Sequence, residues 1–215
     1  MIVSKKLIIR LSRYKDTLKR LKSLGFIKIF SDNIADSVGV APSQVRKDFS
    51  IFGIGGHRRG GYLINDLLNE LNKILGDDII TKVIVVGAGN LGTALIKYDM
   101  FKKEGIQIVA GFDNDDKKIN RVAETPIYKI DEMIAFIKEH NIQVAIITVP
   151  VAAAQSITDL LMHSGIKGIL NFTPIRLRGN ENTIVQNIYL QTELEALIYF
   201  VNASRLNKQD IIDLD

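Results

Sequence analysis

Lys82–Leu95, KVIVVGAGNLGTAL, is the stretch that decides the fold. A run of strand formers breaks into a loop with glycine at 87, 89 and 92, and the chain then continues as a helix. Each glycine of this G-x-G-x-x-G spacing has a separate mechanical purpose. The first permits the tight turn, the second leaves room for a pyrophosphate against the backbone, and the third lets the helix pack closely on the strand. Amides at the start of the helix then meet phosphate. Gly87, Ala88, Gly89, Asn90, Leu91 and Gly92 are therefore the candidate phosphate-binding residues.

Downstream, the context such a loop requires is present. QIVAGFD, Gln107 to Asp113, reads as a second strand that ends in an acid 21 residues after Gly92. Asp113 is placed to accept hydrogen bonds from a ribose diol. Its negative charge favours NAD(H) over NADP(H), whose 2′-phosphate would meet like charge. VAIITVP (Val144 to Pro150), a helical VAAAQSITDLLMHSG and IKGILNFTP (Ile166 to Pro174) continue the rhythm, which predicts an α/β domain with a Rossmann-like, doubly wound parallel sheet. Ligands bind at the carboxyl ends of such strands, so Thr148, Val149 and Pro150, with Asn171, Phe172, Thr173 and Pro174, are expected at the nicotinamide end. TIVQNIYL, Thr183 to Leu190, makes a last strand. QTELEALIYFVNAS then makes a terminal helix with Leu194, Leu197, Ile198 and Val201 on one face, a helix with no obvious partner in its own domain.

Upstream, the chain is different in charge. Met1 to Gly76 holds 14 Lys plus Arg against 6 Asp plus Glu, a net +8, whereas the remainder has 14 against 18, a net −4. That asymmetry suggests a first segment that meets a polyanion. Leu7, Leu11, Tyr14, Leu18, Leu21 and Leu24 recur at helical spacing and Gly25 closes the run. After a β-like FIKIF (Phe26 to Phe30), Ser31 is expected to cap a short helix with Ile34, Ala35 and Val38 inward, and Gly39 permits a sharp turn. Ser43 is expected to cap a third helix whose Val45, Phe49 and Phe52 form its apolar stripe.

Two short capped helices joined by a tight turn read as helix-turn-helix. Opposite the stripe lie Ser43, Lys47 and Ser50, flanked by Gln44 and Arg46, the chemistries that reach bases and phosphates from a recognition helix. GIGGHRRGGY, Gly53 to Tyr62, follows as a predicted hairpin wing with His57, Arg58 and Arg59 at its tip, suited to double-stranded DNA. A helix from Tyr62 to Gly76 with Ile64, Leu67, Leu68, Leu71, Ile74 and Leu75 on one face leads to the linker GDD. The expected domains are 1–76, a winged helix; 77–190, a Rossmann domain; and 191–215, a dimerisation helix.

Composition narrows the function. With no cysteine and three histidines, neither disulfides nor thiolate metal sites are available and no metal is expected. Leu7 to Ile9 is too short for a signal-peptide core, and Val144 to Ala154 is far below the roughly 20 residues of a membrane span, so a cytoplasmic protein is expected. A hydride-transfer enzyme commonly needs a proton donor or metal near the nicotinamide. His57, His140 and His163 do not follow strands at that edge, so no catalytic residue is expected and the site reads as one that holds a dinucleotide. Two other readings stay open at this point: a small NAD-dependent oxidoreductase tethered to DNA by its basic domain, and a Rossmann domain that serves only dimerisation, which predicts no dinucleotide affinity.

Through PSQVRKDFSIFG, VVGAGNLGTAL, TVPVAAAQSITD and GIKGILNFTP, the sequence resembles the Rex family of redox-sensing transcriptional repressors along nearly its whole length. The resemblance implies a homodimer of winged-helix and Rossmann domains with the C-terminal helix exchanged. It implies binding to an inverted-repeat operator with release when NADH replaces NAD+, and it implies the phosphate, ribose and nicotinamide roles for the residues given above. Two departures stand out. The wing reads GHRRGGYL where relatives tend to read like GKRGVGYN, and Tyr189 stands where relatives carry an acid that links cofactor state to an N-terminal arginine, Arg10 here.

Overall fold

The structure is a computed structural model and describes residues 3–56, 60–76 and 80–206. His57, Arg58 and Arg59, the expected wing tip, and Asp77 and Asp78 of the expected linker lie outside the described residues. The chain divides into two compact units, Met1–Ile79 and Ile80–Asp215.

In the first unit, α1 (Lys5–Ser23) starts where the Ser4 hydroxyl accepts the Leu7 amide at 3.3 Å. β1 (Lys28–Ile29), α2 (Ser31–Val38), α3 (Pro42–Ile51), β2 (Tyr62–Leu63) and α4 (Ile64–Leu75) follow. Leu7, Leu11, Tyr14 and Leu18 of α1 meet Ile34, Val45, Phe49, Leu67 and Leu71 in one core. The Phe49 ring stands edge-on to Tyr14 at 5.5 Å and to Tyr62 at 5.2 Å, a geometry that adds to the area buried.

Three local expectations are corrected. Ser31 is the first residue of α2, with Phe30 in the cap position and its amide held by the Asn33 side chain at 3.3 Å. Ser43 lies inside α3, which starts on Pro42 after Ala41; proline is favoured at the first helical position because its missing amide and fixed φ cost nothing there. Finally, β2 pairs antiparallel with β1, Lys28 opposite Leu63 and Ile29 opposite Tyr62, rather than with the residues before the glycine-rich segment. Those residues, Gly53 to Gly56, carry no alternating apolar pattern to pair with.

The second unit contains β3 (Thr81–Val86), α5 (Asn90–Ile96), α6 (Met100–Lys103), β4 (Ile106–Asp113), β5 (Ile127–Lys129), α7 (Met133–Glu139), β6 (Val144–Ile147), α8 (Val151–His163), β7 (Gly168–Asn171), β8 (Ile184–Asn187) and α9 (Leu190–Leu206). The strands form one sheet in the order β5-β4-β3-β6-β7-β8, parallel throughout, the order of a doubly wound dinucleotide-binding fold. After the exposed Thr81 and Lys82, β3 is apolar without a break from Val83 to Val86 because both its faces are covered there. Ile84 and Val86 pack with Phe112, Ile147 and Leu161 on one side, and Val83 and Val85 with Ile108 and Ile146 on the other. β5 is three residues long, too short to leave a period in the sequence. Leu194, Leu197, Ile198 and Val201 of α9 are exposed. No helix among the described residues is long and apolar enough to cross a membrane.

Candidate functional site

The direction of winding reverses between β3 and β6, and the loops that leave these strands border the same cleft. Gly87 has φ +98°, and a Cβ there would lie 2.8 Å from the carbonyl carbon and oxygen of Thr148. Its carbonyl accepts the Thr148 hydroxyl at 2.6 Å, which ties the two loops together. At Gly92 a Cβ would run into the Gly87 carbonyl and come within 2.8 Å of Thr148 Oγ1, so that glycine lets α5 seat on the loop. At Gly89 a Cβ would meet no protein atom within 4 Å. The space beside Gly89 belongs to a cleft of about 670 Å³, lined also by Gly87, Asp113, Lys118, Thr148, Val149 and Pro150. Its size is that of a small-molecule site.

Asp113 ends β4 at the cleft. One carboxylate oxygen accepts the Ala88 amide at 2.7 Å and the Lys118 ammonium at 3.1 Å, and the other accepts the Asp115 amide at 2.9 Å. Burial pushes its pKa up, but the Asp115 amide, Lys118 and the Ala88 amide outweigh that, and the group is held below the usual carboxylate value. Asp113 is thus ionised at neutral pH and able to accept further. The Ala88 amide is directed to Asp113 rather than to the mouth of the loop. Lys118 was not singled out from the sequence; a lysine in a polar loop carries no signal that it will turn onto an acid five residues earlier.

The second expected loop has another character. Asn171 is fully buried, its amide donating to the Ile175 carbonyl and to Asn187 Oδ1 at 2.8 Å each, while its Oδ1 accepts the Thr173 amide and hydroxyl at 2.8 and 2.7 Å. Those side chains hold the loop's shape. Phe172 and Pro174 line a separate pocket with Ile188, Tyr189 and Leu190. No cluster of three or more potential metal ligands occurs among the described residues.

In the first unit, α3 buries Val45 and Phe49 and exposes Ser43, Arg46, Lys47 and Ser50, the division that the helical period predicts. Arg46 Nη1 donates to Ser31 Oγ at 2.9 Å and stands 3.7 Å from Asp32. Gln44 is half-buried and donates from Nε2 to Asp48 Oδ1 at 2.7 Å. Asp48 is the residue that the sequence reading passed over. It is fully buried and grips the Arg10 guanidinium at 2.6 and 2.8 Å, while the Tyr14 hydroxyl donates to it at 2.9 Å. Burial raises its pKa, but hydrogen bonds from Arg10, Gln44 and Tyr14 bring it below the usual carboxylate value. A signal was available: an acid three residues from Val45 and beside Phe49 falls on the inward stripe, and a buried charge needs a partner. Arg10, to which the resemblance gives a linking role, is engaged by Asp48 within its own unit.

A family model described as "Putative DNA-binding protein N-terminus" matches residues 2–50, and one described as "CoA binding domain" matches residues 78–175. The chain is 44% identical to the redox-sensing transcriptional repressor Rex of Desulforamulus reducens, over 89% of this chain and 92% of the relative. It is 42% identical to the Rex of Bacillus subtilis, over 89% of each. Among solved structures, RSP in complex with NAD+ and operator DNA superposes with a TM-score of 0.90 at 34% identity, covering 97% of both chains. RSP in complex with NADH gives 0.86 at 34%, covering 97% of this chain and 99% of the other.

Proposed function

This chain belongs to the Rex family of redox-sensing transcriptional repressors, and we propose on that footing that it binds an inverted-repeat operator as a homodimer and releases it when NADH takes the place of NAD+. It is a DNA-binding repressor, not an enzyme, although its second unit has the sheet order of dehydrogenases. The observation that carries the reading is the pairing, in one chain, of an outward polar face on α3 with an open glycine-loop cleft that ends in an ionised acid.

The residues of the cleft fit a dinucleotide. Gly89 leaves free the volume that a pyrophosphate needs against the backbone. Asn90, Leu91 and Gly92 begin α5, where the first amides have no intrahelical acceptor and are available to phosphate oxygens. Asp113 receives the adenosine ribose, and Thr148 to Pro150 form the adjoining wall. Phe172 and Pro174, in the separate pocket beside Tyr189, form the nicotinamide end. The nicotinamide supplies the redox difference that is sensed; the chain's residues bind and orient it and carry out no hydride transfer.

On the DNA side, Lys47 and Arg46 of α3 reach the major groove, supported by Ser43, Gln44 and Ser50, while His57, Arg58 and Arg59 contact phosphate or the minor groove. α9 supplies the dimer. Its exposed Leu194, Leu197, Ile198 and Val201 pack onto a second copy, and an inverted repeat requires two coupled recognition helices.

The test is operator binding by fluorescence anisotropy at fixed salt, because phosphate contacts make affinity steeply salt-dependent. NADH and NAD+ are titrated separately. NADH weakens DNA binding and NAD+ does so much less, since a ligand shifts an equilibrium only through differential affinity. DNA in turn weakens NADH binding by the same factor. A flat response in the presence of normal NADH binding overturns the sensor reading and leaves Tyr189, in place of the family's acid, as the residue to change to Asp.

A further inference from the structure

Gln44 and Asp48 stand one turn apart on α3, and the chemistry of the pair fixes which way the Gln44 amide faces. Asp48 is buried, ion-paired with Arg10 through two short contacts and hydrogen-bonded by Tyr14. An ionised carboxylate only accepts hydrogen bonds. Gln44 therefore has to turn its NH2 group toward Asp48, as it does at 2.7 Å, which commits one of its two N–H donors there and leaves its carbonyl oxygen, the amide's one acceptor, for whatever lies outside. Without Asp48 the amide has two nearly equal faces, and either the donor or the acceptor can point outward.

We propose that Asp48 is a positioning residue that locks Gln44 with its carbonyl oxygen outward, so that Gln44 selects a base carrying an exocyclic amino group, adenine through N6 or cytosine through N4. Both amino groups are donors exposed in the major groove, whereas guanine O6 and thymine O4 at the corresponding places are acceptors. An outward carbonyl is attracted by the former and repelled by the latter. Arg10 and Tyr14, both on α1, serve the same end by keeping Asp48 charged and immobile. The inference rests on the reading that α3 enters the major groove.

The experiment starts from a library of duplexes randomised over two symmetric half-sites, selected with the full-length protein and with its Gln44→Leu, Asp48→Asn and Lys47→Ala variants. The wild type fixes adenine or cytosine at one symmetric position, and exchanging that base for guanine or thymine costs about 5- to 150-fold in affinity. Gln44→Leu and Asp48→Asn lose the preference at that position and keep it elsewhere. Asp48 is buried, so a test on the wild type alone accompanies the variants. Duplexes carrying, at that position, the amino base, its analogue without the amino group, or the keto base bind in that order of decreasing affinity if the carbonyl is locked outward. An amide free to turn binds amino and keto bases alike, which overturns the proposal. So does an unchanged profile for Gln44→Leu, or a uniform loss over all sequences for Asp48→Asn. If Lys47→Ala impairs selection while Gln44→Leu does not, the proposal falls and the groove reading stands; if the wild type selects no sequence, both fall.

Discussion

Gly89→Val separates the ligand from the fold more cleanly than any other change at the glycine loop. Gly89 has φ −71° and ψ −167°, ordinary extended backbone that valine adopts, and a Cβ there meets no protein atom within 4 Å. The folding cost is thus that of exchanging glycine for a poorer residue at the helix cap, about 1 kcal/mol or less, or a fall in Tm of about 2–4 °C for a chain of this size. The cost to NADH is of another order. The added methyl groups project into the cleft and hold the pyrophosphate away from the loop. Losing two hydrogen bonds to a charged group, at about 1.5 kcal/mol each, raises Kd more than about 100-fold. Gly92→Ala is the contrasting variant: its Cβ overlaps the Gly87 carbonyl and crowds Thr148 Oγ1, so it lowers stability by about 1–3 kcal/mol before any ligand is added. Thermal melts and NADH titrations, by fluorescence or calorimetry, read both quantities. If Gly89→Val melts as expected and still binds NADH within about threefold of the wild type, the cleft is not the pyrophosphate site; if it fails to fold, the space beside Gly89 is not open.

Asp113→Ala weakens NADH binding and erodes the preference against NADPH, because the ribose acceptor and the charge that repels a 2′-phosphate go together; unchanged titrations of both nucleotides would reduce Asp113 to a loop brace for Ala88 and Asp115. Lys47→Ala weakens operator binding by about 5- to 150-fold with relaxed specificity at one base pair if the contact is to a base, or weakens all sequences with a shallower salt dependence if it is to phosphate, and leaves the NADH affinity unchanged. Deleting residues 191–215 yields a monomer with little operator affinity, measured by sedimentation and anisotropy; a truncated dimer would refute the exchanged helix. Asp48 has a native pKa below its unfolded value near 3.9, so its pairing stabilises the fold above about pH 4 and that contribution is lost as pH falls through the native value. Asp48→Asn therefore melts at lower temperature near neutrality and loses less on acidification, and Tm–pH curves that run parallel to the wild type would remove Asp48 from the acid response.

What the sequence determined by itself was the periodicity of the longer helices and strands and the glycine loop, though not the caps of α2 and α3. Glycines at 87, 89 and 92 behind KVIVV imply a strand, a turn and a helix within 14 residues, and the acid at the end of the next strand follows from the period of that unit. The apolar stripe of α3 fixed its outward residues, because helical periodicity needs no knowledge of what the inward face packs against. The two-way division of charge came from composition alone. The tertiary structure decided which polar groups face each other. Arg10 and Asp48 are 38 residues apart and meet because α1 and α3 share a core. Ala88 donates to Asp113, 25 residues on, because β3 and β4 are neighbours. Asn171 turns inward to Asn187 because β7 lies beside β8, whereas in sequence a polar residue after a strand looks the same whether it lines a cleft or braces a loop. The cause is common to all three. Hydrophobic period is set by local backbone geometry, while a hydrogen bond between distant side chains exists only once packing has brought donor and acceptor within about 3 Å.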